Sequence, residues 1–135
     1  MRLGALGSLL LLATLAGASA VTAAPSRTLP SVRATFVGDS VSASISYVPT
    51  AHARLERGMR VRLDLKVCRR LVEPSCSFGG SAPSTALQAV ESYGHALGKV
   101  LIVKVGYNES AAGYGRGIDR VMRAALADGA KGVAW

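Results

Sequence analysis

Two polar turns in this sequence carry residue types that can take part in acyl transfer. The first is Gly38-Asp39-Ser40, which follows a β-branched and aromatic run from Arg33 to Val37 that predicts a buried strand. A serine at this point exposes its hydroxyl at a helix start, where backbone N–H groups can stabilise an oxyanion. Asp39 or Ser40 can instead be a plain helix cap, so the first turn alone leaves both interpretations open.

The second turn contains Asn108 and follows the apolar run from Val100 to Val105, which is typical of a strand covered on both faces. The side-chain amide of Asn108 can donate a hydrogen bond toward an oxyanion held by the first turn. The alternative is a loop asparagine that satisfies its own turn. Because active groups gather at the carboxyl ends of parallel strands, we expect the side chains of Ser40 and Asn108 to lie within about 7 Å of each other.

Strand and helix patterns alternate along the rest of the chain. Alternation of apolar and charged residues predicts an edge strand, and helical spacing of apolar residues predicts the helices. The predicted elements after the first strand are a helix over Ser40 to Arg57 interrupted at Pro49, an edge strand over Met59 to Cys68, a helix from Ser84 or Thr85 to Gly98, a central strand over Val100 to Val105, a helix over about Gly117 to Ala127 and a fourth strand opening at Val133. This order implies an α/β domain with a parallel sheet and right-handed crossovers.

Two further stretches have structural interpretations. The segment from Gly113 to Gly117 lacks the spacing of a phosphate-binding loop, so it is interpreted as a flexible approach to a helix. Arg69 and Arg70 either attract an anionic substrate or belong to a solvated loop, and the solvated loop is favoured.

Together, the two turns resemble those of the SGNH, or GDSL-type, hydrolase family, and the resemblance covers residues 33–135. Gly38-Asp39-Ser40 resembles the nucleophile block, and Gly106-x-Asn108 resembles the Gly-x-Asn-Asp block. The resemblance implies a three-layer α/β/α, flavodoxin-like fold in which Ser40 attacks an ester carbonyl. It also implies that Ser40 and Asn108 belong to the oxyanion hole. The family hydrolyses or transfers ester acyl groups through an acyl-serine, without a metal or an organic cofactor.

Two positions depart from the family pattern. Glu109 stands where the family has Asp, which is expected to change loop geometry more than chemistry. The family's second block supplies an oxyanion-hole N–H from a glycine after the second strand, and the matching residue here is Cys68. Its backbone N–H is the candidate donor, with Gly79 and Gly80 as alternatives.

The base that such a site needs has no match in these 135 residues, since no Asp-x-x-His sequence occurs. His52 lies 12 residues after Ser40, roughly 18 Å along a continuous helix, and His95 falls late in the second long helix. Both are interpreted as surface histidines. The fold is therefore expected to be incomplete at its C-terminus, and the esterase to be inactive as this chain. The alternative is a non-catalytic secreted binding protein, or a remnant that retained the fold.

The amino terminus predicts export. Residues 1–20 resemble a signal peptide with Ala18-Ser19-Ala20 as the cleavage site, residues 21–32 a flexible linker and residues 33–135 the domain. In an oxidising compartment Cys68 and Cys76 are expected to form a disulfide, and no metal site is expected. The predicted location is therefore secreted, extracellular or periplasmic.

Composition limits the partners. The formal net charge is +8, which favours anionic surfaces, but export and the lack of a recognition motif argue against nucleic acid. No apolar stretch is suited to a stable membrane span. The expected partner is an ester substrate, in the form of an acylated glycan, a lipid or a cell-wall ester.

Overall fold

The structure is a computed structural model that describes residues 31–135. The predicted signal peptide and all but the last two residues of the predicted linker lie outside the described residues. The strands are β1 (Val32–Gly38), β2 (Met59–Leu65), β3 (Val100–Lys104) and β4 (Gly132–Ala134). The α-helices are α1 (Ser40–Ala43), α2 (Pro49–Leu55), α3 (Ala86–Tyr93) and α4 (Ala111–Ala127), with 3-10 turns at Ser44–Tyr47 and Gly94–Leu97.

All four strands are parallel and lie in the order β2-β1-β3-β4. The predictions of an α/β fold, of β2 as an edge strand and of β3 as a central strand are confirmed. β1 pairs with both β2 and β3, so the two polar turns follow neighbouring strands. The short strand predicted near the end of the chain also forms, pairing with β3.

One face of the sheet packs against α3 and α4 and forms the core. Val37, Leu101 and Val103 from the strands belong to one buried cluster with Val90 of α3 and Val121 of α4, and none of the five is more than 1% exposed. At about 25 cal/mol per Å² of apolar area, this burial provides the main stabilisation of the domain. Within residues 31–135 no helix has both the length and the apolar character needed to cross a lipid bilayer.

The helical segment after β1 is interrupted at Pro49, as predicted. Val48 is extended, with φ −122° and ψ 91°, because the ring of a following proline disfavours the helical conformation. Pro49 then begins α2 at the first helical position, where its missing N–H costs no hydrogen bond. The 3-10 turn between α1 and α2 was not predicted.

The start of α3 follows the predicted capping box. The Thr85 hydroxyl accepts from the Gln88 N–H at 3.1 Å, and the Gln88 side chain accepts from the Thr85 N–H at 2.9 Å. These bonds satisfy two of the N–H groups that a helix start leaves free.

α4 begins at Ala111 rather than near Gly117, so the interpretation of the glycine-rich segment as a flexible approach is wrong. Glycine disfavours helices, but packing overrides that preference here. A Cβ at Gly117 would lie 3.0 Å from Leu71 Cδ1, so the missing side chain lets the helix pack closely on the loop after β2.

The prediction of a solvated loop is wrong for Arg69. Its side chain is 0% exposed, because the guanidinium donates to the Asp64 carboxylate at 2.9 Å and to the Ser84 carbonyl at 3.0 Å. The Tyr93 hydroxyl donates to the same carboxylate at 3.2 Å. A buried charge needs such partners, and this cluster joins the end of β2 to the start and end of α3.

Because of this cluster, the free energy of unfolding is expected to fall as the pH becomes alkaline. Burial, followed by the negative charge of Asp64 and its hydrogen bond, raises the pKa of Tyr93 above its ordinary value of 10.0. Folding therefore favours the neutral phenol, and this contribution is complete below pH 10 and lost as the pH rises through the folded pKa. We expect Tyr93→Phe to flatten the alkaline decline in the free energy of unfolding, measured by urea titration from neutral pH upward. Tyr47→Phe is the control, since Tyr47 is 81% exposed, and an equal flattening in that variant would contradict the assignment.

Candidate functional site

The end of β1 is built around a glycine that has no room for a side chain. A Cβ at Gly38 would lie 2.6 Å from Ser42 Cβ and 2.8 Å from Leu65 Cδ2. Val37 points into the core with α3 and α4, so the opposite face of the sheet receives α1 at this point. The glycine thus allows α1 to start directly above the carboxyl end of β1.

Asp39 ties the two polar turns together. It is the N-cap residue of α1, and its Oδ1 accepts a hydrogen bond from the Val41 N–H at 3.0 Å. Its Oδ2 accepts from the N–H groups of Gly106 and Tyr107 at 3.3 and 3.4 Å, and its own N–H donates to the Lys104 carbonyl at 3.1 Å. The residue is only 2% exposed, so these donors replace the water that a carboxylate requires.

Ser40 and Asn108 lie on these two linked turns. Ser40 is the first residue of α1 and is partly exposed. Asn108 is partly exposed in a turn that the Glu109 N–H closes by donating to the Gly106 carbonyl at 3.0 Å. The Asn108 side chain makes no hydrogen bond to another described residue, so its amide is available to a bound group.

The loop after β2 carries the disulfide. Cys68 and Cys76 are bonded with Cα atoms 5.5 Å apart, which confirms the predicted pair and fits an extracellular protein. Cys68 is the one described non-glycine residue with a positive φ, at 65°. This left-handed conformation is one that glycine adopts without cost and that other residues rarely adopt.

Glu109 joins the loop after β2 to the turn after β3. Its carboxylate accepts a hydrogen bond from the Leu71 N–H and lies 3.5 Å from the Arg70 guanidinium. Arg70 is therefore half-buried and paired, and the prediction that it belongs to a solvated loop is wrong as well. Glu109 thus fixes the loop after β2 against the turn after β3, and Asp39 fixes that turn against the one after β1.

In the described residues, neither histidine is hydrogen-bonded or ion-paired to these turns. His95 is exposed after α3, and its Nδ1 lies 3.1 Å from the Asp128 carbonyl, near the amino end of the sheet. His52 lies in α2, with Nε2 3.7 Å from Glu56 one turn later. Within residues 31–135, no group of three or more His, Cys, Asp or Glu side chains is arranged to hold a metal ion.

An apolar cleft of about 320 Å³ opens beside the Ser40 turn. The residues on both sides of Ser40, Asp39 and Val41, line it, although Ser40 itself does not. Its other walls include Tyr114 and Trp135, which is the only tryptophan of the chain. Pockets of this size can hold a small apolar group.

Two features of the site were missed from the sequence. The cap role of Asp39 has a local signal, but its bonds to the turn after β3 depend on β1 and β3 being neighbours. The pairing of Glu109 with Arg70 depends on two loops separated by more than 30 residues and has no local signal.

Comparison of the chain with protein-family models, curated proteins and solved structures found no match. The function is inferred below from the residues and their arrangement.

Proposed function

We propose that this chain carries the nucleophile and oxyanion-hole part of an acyl-serine ester hydrolase of the SGNH type. In this proposal the Ser40 hydroxyl oxygen attacks the ester carbonyl and the alcohol leaves with the serine proton. Water then releases the acid from the acyl-serine. The fold would be the flavodoxin-like, three-layer arrangement of that family, in an exported protein.

The observation that carries the proposal is the double role of the Asp39 carboxylate. It caps the helix that Ser40 begins, and it accepts hydrogen bonds from the turn that contains Asn108. A site of this kind needs a nucleophile and an oxyanion donor held in fixed relation before substrate binds. One buried side chain bonded to both turns supports such preorganisation.

The conformation of Cys68 supports the third part of the proposed oxyanion hole. Cys68 has the positive φ that glycine adopts readily, so its backbone is compatible with a glycine at the position that the resemblance matches to the family's second block. The disulfide to Cys76 and the contacts of Glu109 restrain this loop. We therefore retain the Cys68 N–H as the candidate donor over Gly79 and Gly80.

The placement of the histidines favours a second candidate function, which is non-catalytic binding of an ester or its acyl group. In the described residues, no hydrogen bond or ion pair joins His52 or His95 to the residues of the two turns. A serine without an adjacent base is a weak nucleophile near neutral pH. The apolar cleft beside Ser40 could retain an acyl group whether or not the ester is cleaved.

The first test compares the reactivity of serines. At mildly alkaline pH, where hydroxide can take the serine proton, a fluorophosphonate should label Ser40 at least about tenfold faster than Ser44, because in the proposed site oxyanion donors lie near Ser40 and not near Ser44. Ser44 is exposed and its hydroxyl donates to the Val41 carbonyl at 3.0 Å, which makes it an internal control. Peptide mass spectrometry gives both rates, and labelling that follows exposure alone would contradict the proposal.

Hydrolysis of p-nitrophenyl acetate separates the two functions. We expect this chain to be little faster than its Ser40→Ala variant, because neither histidine is hydrogen-bonded to Ser40 in the described residues. A longer chain that also contains an Asp-x-x-His segment is expected to gain activity that Ser40→Ala abolishes. Strong turnover by the 135-residue chain that depends on Ser40 would instead identify a base among its own residues, with His52 the first candidate.

A further inference from the structure

A second cleft, of about 530 Å³, lies at the amino ends of β1 and β2 and is lined by three arginines, Arg33, Arg60 and Arg62. We call it the arginine cleft. It lies at the opposite end of the strands from the Ser40 turn, so it is independent of the proposed hydrolase site. Cavities of this size are large enough for a small organic ligand.

The strand register places like charges directly opposite each other. Arg33 of β1 pairs with Arg60 of β2, and Arg62 follows two residues later on the same face. Like charges on neighbouring strands repel each other, most strongly at low ionic strength. This repulsion lowers the stability of the free protein. An anion bound between the guanidinium groups would remove it.

The protein itself provides little compensation for these charges. Within residues 31–135, the side chains of Arg33 and Arg60 make no ion pair and no hydrogen bond. Glu56 is the only acidic residue that lines the cleft, and its carboxylate lies 3.7 Å from His52 rather than on an arginine. Three positive charges therefore face one negative charge.

Arg62 is held in place for such a role. Its guanidinium donates to the Ala96 carbonyl at 3.2 Å and lies over the Tyr93 ring, 4.7 Å from the centroid. These contacts leave further N–H groups of the planar fork free. An arginine fixed in advance loses less conformational entropy when it binds an anion.

We propose that the arginine cleft binds the phosphate group of a phosphomonoester. Guanidinium forks match the oxygens of a phosphate in pairs, and a net charge of about two positive units in the cleft complements a dianion. The group can belong to a soluble compound or to the headgroup of an anionic lipid. The chemistry of recognition is the same, and the experiment separates the two sources.

The experiment measures the thermal unfolding of the oxidised chain in inorganic phosphate and in sodium chloride of equal ionic strength. Phosphate should raise the midpoint of the wild-type chain above that in chloride, because it binds only the folded state. Arg60→Gln should bind phosphate about tenfold more weakly, since one charge-assisted pair is lost. In chloride the same variant should unfold at a temperature equal to or above wild type, because the repulsion with Arg33 is removed.

Arg123→Gln is the matched control, since it removes the same charge from an exposed position on α4. It should keep the full response to phosphate. An equal response of wild type and Arg60→Gln, or the same stabilisation by chloride, would overturn the proposal.

Sedimentation with phosphatidic acid vesicles, against neutral phosphatidylcholine vesicles, then assigns the source of the phosphate group. Binding that Arg60→Gln reduces indicates a lipid, no binding indicates a soluble compound, and binding that Arg60→Gln leaves unchanged counts against the cleft.

Discussion

Replacing Arg69 by alanine should lower the free energy of unfolding by about 3–5 kcal/mol, the cost of breaking a buried ion pair from one side. The Arg69 side chain is 0% exposed, and its loss would leave the Asp64 carboxylate with the Tyr93 hydroxyl as its remaining side-chain donor. Urea unfolding followed by circular dichroism measures the change. The same substitution at exposed Arg123 should cost less than about 0.5 kcal/mol.

A double variant distinguishes loss of the pair from loss of packing. Arg69→Met with Asp64→Leu removes both charges and keeps apolar volume, so most of the stability lost in Arg69→Ala should return. If the double variant is as unstable as Arg69→Ala, the ion pair is not the reason for the loss, and the bonds of Arg69 to Ser84 become the better explanation.

Replacing Asp39 by alanine should cost about 2–3 kcal/mol, because it removes a helix cap and the acceptor of two N–H groups in the neighbouring turn. The cap bond is to Val41, and the other two are to Gly106 and Tyr107. Urea unfolding again measures the change. Asp119→Ala, at an exposed position on α4, is the matched control and should cost less than about 0.5 kcal/mol.

Asp39→Asn isolates the bonds between the turns. Asparagine caps a helix as well as aspartate does, so the bond to Val41 can persist. Its amide nitrogen cannot accept hydrogen bonds, so the N–H groups of Gly106 and Tyr107 lose their partner. Slower labelling of Ser40 with a small loss of stability is expected. Unchanged labelling of Ser40 would mean that the link between the turns does not organise the site.

Much of the fold follows from local patterns in the sequence. The apolar run of β3 and the alternation of β2 predicted a central and an edge strand, and the capping box predicted the start of α3. These signals work because each depends on residues close together in the chain. The boundaries were less accurate, and β2 ends at Leu65 rather than Cys68.

The errors concern features that only tertiary contacts determine. Three glycines argued against a helix before Ile118, yet α4 starts at Ala111, with Gly117 packed on Leu71. In the sequence, Arg69 stands beside a second arginine and resembles part of a solvated loop. Asp64 and Ser84 surround it only after β2 and α3 come together. The turns of Ser40 and Asn108 were located from the sequence, but the hydrogen bonds by which Asp39 connects them were not predicted.

If the turns of Ser40 and Asn108 form one oxyanion pocket, a crystal structure of the chain phosphonylated on Ser40 will show both turns against the phosphonyl group. We expect the Asn108 amide nitrogen to lie about 2.7–3.1 Å from the phosphonyl oxygen, with the Asp39 carboxylate still accepting from the Gly106 N–H. An Asn108 amide more than about 7 Å from that oxygen, with solvent as its only partner, would contradict it.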